Sequence, residues 1–178
     1  MAKCSLNFDR ANKLISYNPK DGVFTWRVRD SCEVNYKQFN SQFAGKKAGN
    51  IHTMKGGYRR VEIRVDGVKY LAHNLAWLLM TGGSLPDGFV VDHIDNDATN
   101  NAWVNLRKST NLENSKNKPK YNTANKLKGA YRKNGRFYSC IRSEGKLYHL
   151  GYFDTEEEAH KAFCDAAKLH HGDFANNG

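Results

Sequence analysis

The middle of the chain carries an alternating pattern of apolar and polar residues, followed by a helical pattern. Residues 58–65 alternate, so that their valines and isoleucine share one face of a strand. Asp66-Gly67 is a strong signal for a two-residue hairpin turn, and residues 68–71 supply the returning strand. The leucines within residues 75–79 then predict a mostly buried helix, which Gly82-Gly83 ends.

The first fifty residues carry weaker patterns. Apolar positions within residues 8–17 are spaced for one short helix. Residues 18–22 (Asn-Pro-Lys-Asp-Gly) predict a turn, and residues 23–28 predict a strand. Residues 30–49 show no clear period, and we expect a long loop there.

The last third of the chain predicts three antiparallel strands. Residues 129–133 and 136–142 flank Asn134-Gly135, a pair that suits a type I′ turn. Residues 146–153 form the third strand. Alternation along the second strand predicts two different faces, one of them carrying arginines and a tyrosine.

A helix is predicted after these strands. Thr155 and Glu158 have the spacing of a capping box, which marks a helix start. Apolar residues recur at helical spacing from Ala159 to Ala167, and Gly172 is the expected end. Three strands and one amphipathic helix can pack as a two-layer module of about fifty residues.

Composition and charge indicate which class of partner the protein binds. The chain has 178 residues, 39% of them apolar, and its 28 Lys and Arg outnumber 18 Asp and Glu for a net charge of +10. This charge predicts a polyanionic partner. Ten basic residues and one acid, Glu113, fall within residues 107–136, and no amphipathic helix accompanies them, which favours nucleic acid over a membrane. No apolar run is long enough for a spanning helix and no signal peptide is evident, so we expect a cytoplasmic protein with no membrane partner.

The stretch from Val90 to Asn117 concentrates polar residues of chemical interest. Residues 89–91 are apolar and β-prone, which places Asp92 and His93 at the end of a strand. Residues 103–107 predict an antiparallel partner strand, and a second capping box, Thr110 with Glu113, predicts a helix from Asn111. This order of strand, loop, strand and helix lets four side chains converge: Asp92, His93, Asn105 and Asn114.

Two interpretations of these residues stay open on spacing alone. Carboxylate and amide oxygens suit Mg²⁺ or Mn²⁺, and a neighbouring imidazole can remove a proton from a water that attacks phosphorus. The other interpretation is a solvated loop, in which Asp-His is a turn and the asparagines are caps.

The same residues resemble the HNH endonucleases with a ββα-metal fold, in particular the phage and intron-encoded homing type. The resemblance rests on these residues: Val91-Asp92-His93-Ile94-Asp95, Asn100-Asn101, Asn105-Leu106-Arg107, Thr110, Asn114 and Asn117, with residues 71–77 upstream. It implies that His93 is the general base, that Asp92 and Asn114 are ligands of one Mg²⁺ or Mn²⁺ per site, that Asn105 orients His93, and that Arg107 reaches a phosphate.

Two positions depart from the family pattern. Asn114 stands where the signature has His, and Asn74 stands where the family pattern has an Arg. The four cysteines form no Cys-x-x-Cys pair, so no structural zinc is expected.

Residues 128–176 resemble the Apetala/ethylene-response-factor DNA-binding domain. The resemblance rests on Lys128-Gly129-Ala130, Gly135-Arg136-Phe137, Ile141-Arg142, residues 150–155, Glu157-Glu158-Ala159 and Ala162-Phe163. It implies that the sheet enters the major groove. Together with the basic stretch before this module, it predicts DNA contacts from Lys116, Lys118, Arg132, Lys133, Arg136, Tyr138, Arg142 and His149.

These observations predict an α+β protein with a small β-rich N-terminal region, a central ββα-metal motif at about 85–118, and a C-terminal three-stranded antiparallel sheet packed on one helix. The expected domains are a nuclease domain (1–118), a basic linker (119–127) and a DNA-binding module (128–178). The expected function is a metal-dependent HNH endonuclease of the phage or intron homing type, acting in the host cytoplasm if phage-encoded. It would nick or cleave double-stranded DNA, as a monomer or as a dimer formed on DNA. Two alternatives stay open: a non-catalytic DNA-binding regulator with a degenerate site, and an RNA-binding structural protein.

Overall fold

The computed structural model describes residues 6–118 and 126–178. The first helix, α1 (Phe8–Leu14), begins at Asn7, whose side chain accepts a hydrogen bond from the Arg10 N–H at 2.9 Å. The expected continuation to residue 17 is wrong, because the chain turns at Ile15 into strand β1 (Ile15–Asn18). Ile15 is fully buried in a pair with β2 (Val23–Trp26), and this burial outweighs the helical spacing.

The expected loop 30–49 contains a second helix, α2 (Tyr36–Phe43). None of its residues is fully buried, so its apolar pattern is weak in the sequence. Phe39 packs edge-on against Trp26, with ring centroids 5.4 Å apart, and the Asn40 side chain bonds to both backbone groups of Arg29. These contacts with residues outside the helix hold it in place.

A three-stranded antiparallel sheet of β3 (Asn50–Thr53), β4 (Arg59–Val65) and β5 (Val68–Leu71) follows, with β4 in the centre. The predicted hairpin between β4 and β5 is confirmed, since Asp66 and Gly67 both have positive φ (48° and 79°). The third strand of the sheet, β3, was not predicted. Helix α3 (Ala72–Thr81) is also confirmed, and Gly82 ends it in the left-handed conformation.

The motif predicted around Asp92 and His93 begins with β6 (Phe89–His93). The expected strand at 103–107 begins only at Leu106, because Trp103–Asn105 forms a 3₁₀ turn first. β7 (Leu106–Thr110) pairs with β6, and α4 (Asn111–Asn117) starts at the predicted capping box. The chain order strand, loop, strand, helix is therefore confirmed.

The C-terminal strands are β8 (Ala130–Lys133), β9 (Arg136–Ser143) and β10 (Lys146–Phe153), and β9 lies in the centre of the sheet. Helix α5 (Glu156–His171) begins at the predicted Thr155 capping box and ends at Gly172. Its apolar face packs on one face of the sheet through Phe163, Ala167 and Ile141. This part of the α+β architecture is as predicted.

Contacts between residues divide the chain into two compact units, the first ending at Ser109 and the second beginning at Thr110. The core of the first unit combines α1, α3, β4 and the motif strands through Leu14, Ile63, Leu75, Val91 and Leu106. The predicted linker 119–127 lies outside the described residues except for its last two positions. Within the described ranges, no helix has the length and apolarity needed to cross a membrane.

Candidate active site

Asp92 and His93 occupy the last two positions of β6 and are both buried in the first unit. Their exposed fractions are 5% and 7%. Val91, the residue before them, belongs to the hydrophobic core and anchors the strand. Two buried polar residues at a strand end need partners, since an unpaired buried charge is costly.

Arg107 on the neighbouring strand β7 forms an ion pair with Asp92. The Arg107 Nε donates to Asp92 Oδ2 at 2.8 Å, and Nη2 of the same guanidinium lies 2.8 Å from the same oxygen. Such a charge-assisted contact offsets part of the cost of burying the carboxylate. The residue predicted to reach a phosphate is thus paired with the predicted metal ligand.

Asn101 and His73 both contact the His93 ring. Its Nε2 lies 3.3 Å from Oδ1 of Asn101, and its ring meets the His73 ring edge-to-face at 5.0 Å between centroids. Burial lowers the pKa of His93, while the Asn101 hydrogen bond and the carboxylates of Asp95, Asp92 and Asp97 act in the opposite direction. A lowered pKa favours the neutral imidazole, which is the form that can accept a proton.

His73 lies on α3 and its ring contacts that of His93. Burial, with the nearby His93 and Arg60, lowers the pKa of His73 to about 4. It therefore presents a neutral ring to His93 at neutral pH. This contact was not foreseen, because His73 lies twenty residues earlier in the chain and on a different element.

Asn105 binds the start of the loop that follows His93. Its Nδ2 donates to Asp95 Oδ1 and to the Asn100 carbonyl, both at 2.8 Å, and its Oδ1 accepts from the Asp95 N–H at 3.0 Å. The Asn105 carbonyl also accepts from the Ile94 N–H at 2.9 Å. The side-chain amide that contacts the His93 ring is that of Asn101. The orienting role of Asn105 stays a prediction.

The acidic residues of the loop serve as hydrogen-bond acceptors. Asp95 also receives the Asp97 N–H and the Asn100 side chain, at 2.8 and 2.6 Å. Asp97 accepts from both the backbone and the hydroxyl of Thr99. These bonds close the loop on itself.

The remaining predicted motif residues lie on α4, in the second unit. Asn114 is half-buried in this helix. Lys116 is in its last turn, and Lys118 is the exposed residue that ends it. The role of Asn114 as a metal ligand, and of the two lysines as DNA contacts, stays a prediction.

The C-terminal sheet has an outer face, opposite α5, on which cross-strand pairs bring aromatic and basic residues together. Tyr138 pairs with Tyr131 on one side and Tyr152 on the other, and its ring stacks parallel to that of His149. Lys133 opposite Arg136, and Arg142 opposite Leu147, lie on the same face. We call these residues the outer face.

Arg132, which was also predicted to contact DNA, lies on the opposite face of the sheet. Arg132 pairs with Phe137, and its guanidinium carbon lies 5.8 Å from the Phe137 ring, on the face that α5 covers. Five of the six residues predicted to contact DNA in this module, Lys133, Arg136, Tyr138, Arg142 and His149, therefore share the outer face, and Arg132 does not.

The donors of the motif suit a hard divalent cation. Within residues 6–118 and 126–178, no group of three or more His, Cys, Asp and Glu side chains is placed to hold a metal ion. The Asp92 carboxylate is nevertheless a hard oxygen donor next to a buried neutral imidazole, and amide and phosphate oxygens are hard donors of the same kind. The chemistry of these donors fits Mg²⁺ or Mn²⁺ and gives no preference for zinc.

Comparison with known proteins supports the class of site. Residues 70–116 match the family model described as HNH endonuclease, and this segment runs from β5 to α4. A protein of Acanthamoeba polyphaga mimivirus, the uncharacterized HNH endonuclease L560, is 30% identical over 122 residues, which are 68% of this chain and 62% of that protein. This chain thus spans less than two thirds of that relative. The segment that carries Asp92, His93, Asn101, Asn105 and Asn114 is similar to nucleases of the HNH type.

A solved structure is also similar to this chain. That structure is described as DNA binding and cleavage by the HNH homing endonuclease I-HmuI. The superposition covers 90% of this chain and 81% of that chain, with 19% sequence identity and a TM-score of 0.41. The family match ends at residue 116, so the resemblance of residues 128–176 to an Apetala-type domain stays a prediction.

Proposed function

We propose that this protein is a metal-dependent DNA endonuclease of the HNH type that hydrolyses a phosphodiester bond. The observation that carries the proposal is the buried Asp92-His93 pair at the end of β6, within the segment that matches the HNH model. The Asp92 carboxylate is paired with the Arg107 guanidinium, and burial lowers the pKa of the adjacent His93 imidazole. This combination suits a cation ligand beside a general base.

In the proposed reaction, the neutral His93 ring takes a proton from the water that attacks phosphorus. His93 is held by Asn101 and His73, so little freedom needs to be lost when the substrate binds. Asp92 would hold the divalent cation, with Asn114 as the second ligand that the resemblance implies. When bound, such a cation stabilises negative charge on the phosphate and on the leaving oxygen. One such site cuts one strand at a time, which favours nicking by a monomer.

Metal dependence tests this proposal. With supercoiled plasmid as substrate, we expect nicked circles in Mg²⁺ or Mn²⁺, none in EDTA, and recovery when excess metal is restored. Asp92→Asn keeps the shape of the side chain but weakens it as a cation ligand, so it is expected to raise the metal concentration needed for half-maximal cleavage by tenfold or more. Asp87→Asn, at an exposed carboxylate before β6, is the matched control and should have no effect. Equal cleavage in EDTA would overturn metal dependence.

We further propose that the outer face of the C-terminal sheet binds duplex DNA. Lys133 and Arg136 are directly opposite each other on neighbouring strands, an arrangement of like charges that costs stability and so points to an anionic partner. The ion pair between Arg136 and Asp154, at 3.0 Å, is solvent-exposed and contributes little. Exposed tyrosines beside these cations can pack on sugars or bases.

Charge removal from the outer face tests this binding surface. The double variant Arg136→Gln and Arg142→Gln is expected to weaken duplex binding about tenfold or more and to reduce the salt dependence of log K by about two. Arg132→Gln removes the same charge from the same module but from the opposite face, so it should retain most of the affinity. Fluorescence anisotropy over a range of salt concentrations measures both. Equal losses in the two variants would show that binding does not depend on this face.

A DNA-binding protein without cleavage activity is the second candidate. The ion pair between Asp92 and Arg107 favours it, because a carboxylate already neutralised by a guanidinium is a weaker cation ligand. Tight duplex binding with no cleavage in any divalent metal would select this candidate.

A further inference from the structure

We infer that Asn101 is a positioning residue that selects the tautomer of His93, and that the N-terminal hairpin of β1 and β2 holds Asn101 in place. The inference rests on the proposed role of His93 as general base. It assigns a function to the hairpin of residues 15–26, which lies outside the HNH motif. All of the contacts that support it lie within the first unit.

The orientation of the Asn101 amide follows from its two neighbours. Its Nδ2 donates to the carbonyl oxygen of Thr99 at 3.2 Å, and a carbonyl oxygen can only accept. The amide Oδ1 must therefore face His93 Nε2, at 3.3 Å. Because only 2% of Asn101 is exposed, an alternative orientation would leave buried polar atoms poorly paired.

The same logic fixes the proton on the His93 ring. An amide oxygen accepts hydrogen bonds and cannot donate them, so the imidazole nitrogen that faces it must carry the hydrogen. The neutral ring is then the Nε2–H tautomer, and its basic electron pair is on Nδ1. Without the Asn101 oxygen the two tautomers would differ less in energy, and part of the population would have the proton on the nitrogen needed as base.

The hairpin holds the backbone of Asn101 from the other side. The Tyr17 hydroxyl donates to the Asn101 carbonyl oxygen at 2.7 Å, although the two residues are 84 positions apart. The Pro19 carbonyl oxygen accepts from the Trp103 N–H at 2.8 Å, two residues further along. Burial raises the pKa of Tyr17 to about 12, so its hydroxyl keeps its proton as a donor at neutral pH.

The turn of the hairpin lies directly on the backbone of Asn101. Gly22 has a φ of +71°, and a Cβ at this position would lie 2.3 Å from the Asn101 carbonyl carbon. Only glycine allows this approach. Side-chain and backbone bonds within the turn, from Asn18 to Asp21 at 2.8 Å and from the Gly22 N–H to the Asn18 carbonyl at 2.9 Å, hold it in shape.

The tautomer can be read directly by long-range ¹H–¹⁵N NMR of the imidazole rings in the full-length, metal-free chain at pH 7.5. The His93 signals are identified by their absence in His93→Gln. We expect the Nε2–H pattern in the unmodified chain and a mixed or reversed pattern in Asn101→Leu. An Nδ1–H pattern in the unmodified chain overturns the inference without any variant, and so does an Asn101→Leu spectrum that is unchanged at His93.

A milder variant tests the role of the hairpin and covers the case in which Asn101→Leu does not fold. Tyr17→Phe removes one hydroxyl, and Tyr36→Phe on α2 is the matched control. We expect Tyr17→Phe to shift the His93 tautomer populations and to lower the single-turnover cleavage rate about threefold to tenfold, with unchanged DNA affinity. The control should match the unmodified chain. Equal spectra and rates in the two variants would remove the hairpin from the inference.

The NMR measurement and the cleavage assay together distinguish a failure of this inference from a failure of the proposed function. If the unmodified chain shows the Nε2–H tautomer and Asn101→Leu disturbs it, Asn101 positions His93 even in a chain that cleaves nothing, and only the proposed function fails. If the chain cleaves DNA in a His93-dependent way but the tautomer is insensitive to Asn101, the nuclease stands and this inference fails.

Discussion

Replacement of His93 by alanine is expected to lower metal-dependent cleavage on the order of a thousandfold while leaving DNA affinity within about twofold. General-base catalysis by a positioned side chain contributes roughly a hundredfold to ten-thousandfold to a rate. His93 is the buried imidazole at the end of β6, and alanine removes its proton acceptor without removing Asp92 or Arg107. The outer face of the C-terminal sheet lies outside the altered region of sequence, so binding should persist.

The measurement is the single-turnover rate of plasmid nicking at saturating protein and metal, beside anisotropy for affinity. His52→Ala removes an imidazole from an exposed position on β3, and it should cleave like the unmodified chain. Loss of His93 also removes the ring contact with His73, so thermal unfolding of both variants must be compared. Nicking by His93→Ala within about threefold of the unmodified rate would show that His93 is not the base.

Local signals in the sequence were enough to predict much of the fold. The Asn134-Gly135 turn and both capping boxes act over two to four residues, so β8, β9, α4 and α5 could be placed from the sequence. Helix α2 could not, because its support comes from Trp26 and Arg29 rather than from a buried face of its own. The change from helix to strand at Ile15 likewise depends on a partner strand eleven residues away.

At the candidate site, too, local sequence signals predict position but not the contacts between residues distant in the chain. Its position at the end of a strand follows from three apolar residues before Asp92 and His93, and the sequence predicted it. The pairing of Arg107 with Asp92 depends on how β6 and β7 lie beside each other, which no local pattern reports. The contact between Asn101 and His93, and the support of Asn101 by Tyr17, bridge 8 and 84 positions. Such contacts are set by packing of the whole first unit, so the sequence predicted the residue types at the site better than their partners.

Replacement of Gly129 by alanine is expected to destabilise the second unit by roughly 2–5 kcal/mol. Gly129 has a φ of +75°, and a Cβ there would lie 2.0 Å from Cγ of Phe163, the main aromatic residue of that core. The left-handed conformation costs an alanine about 1–2 kcal/mol, and the displacement of a packed ring adds about 1–3 kcal/mol. The Gly129 carbonyl also accepts from the buried Ser139 hydroxyl at 2.9 Å, which limits how far the backbone can move.

The size of this effect matters because the second unit is small. Modules of this length are stable by only a few kcal/mol, so a loss of this magnitude should leave much of the population unfolded near 37 °C. Gly145→Ala is the matched control, since its φ is +78° but nothing lies within 4 Å of the added methyl group. Gly145→Ala should lose only the free energy that the left-handed backbone conformation costs an alanine. The difference in unfolding free energy between the two variants then measures the cost of the contact with Phe163.

Hydrogen exchange of the β9 amides measures the stability of the second unit, while tryptophan fluorescence reports the first unit, which holds all three tryptophans. We expect faster exchange in Gly129→Ala with an unchanged fluorescence transition. Because the outer face belongs to the same sheet as Ser139, duplex affinity should fall together with exchange protection. Equal protection in Gly129→Ala and Gly145→Ala would mean that Phe163 can move aside at little cost, and that the close approach of Gly129 does not determine the packing of this module.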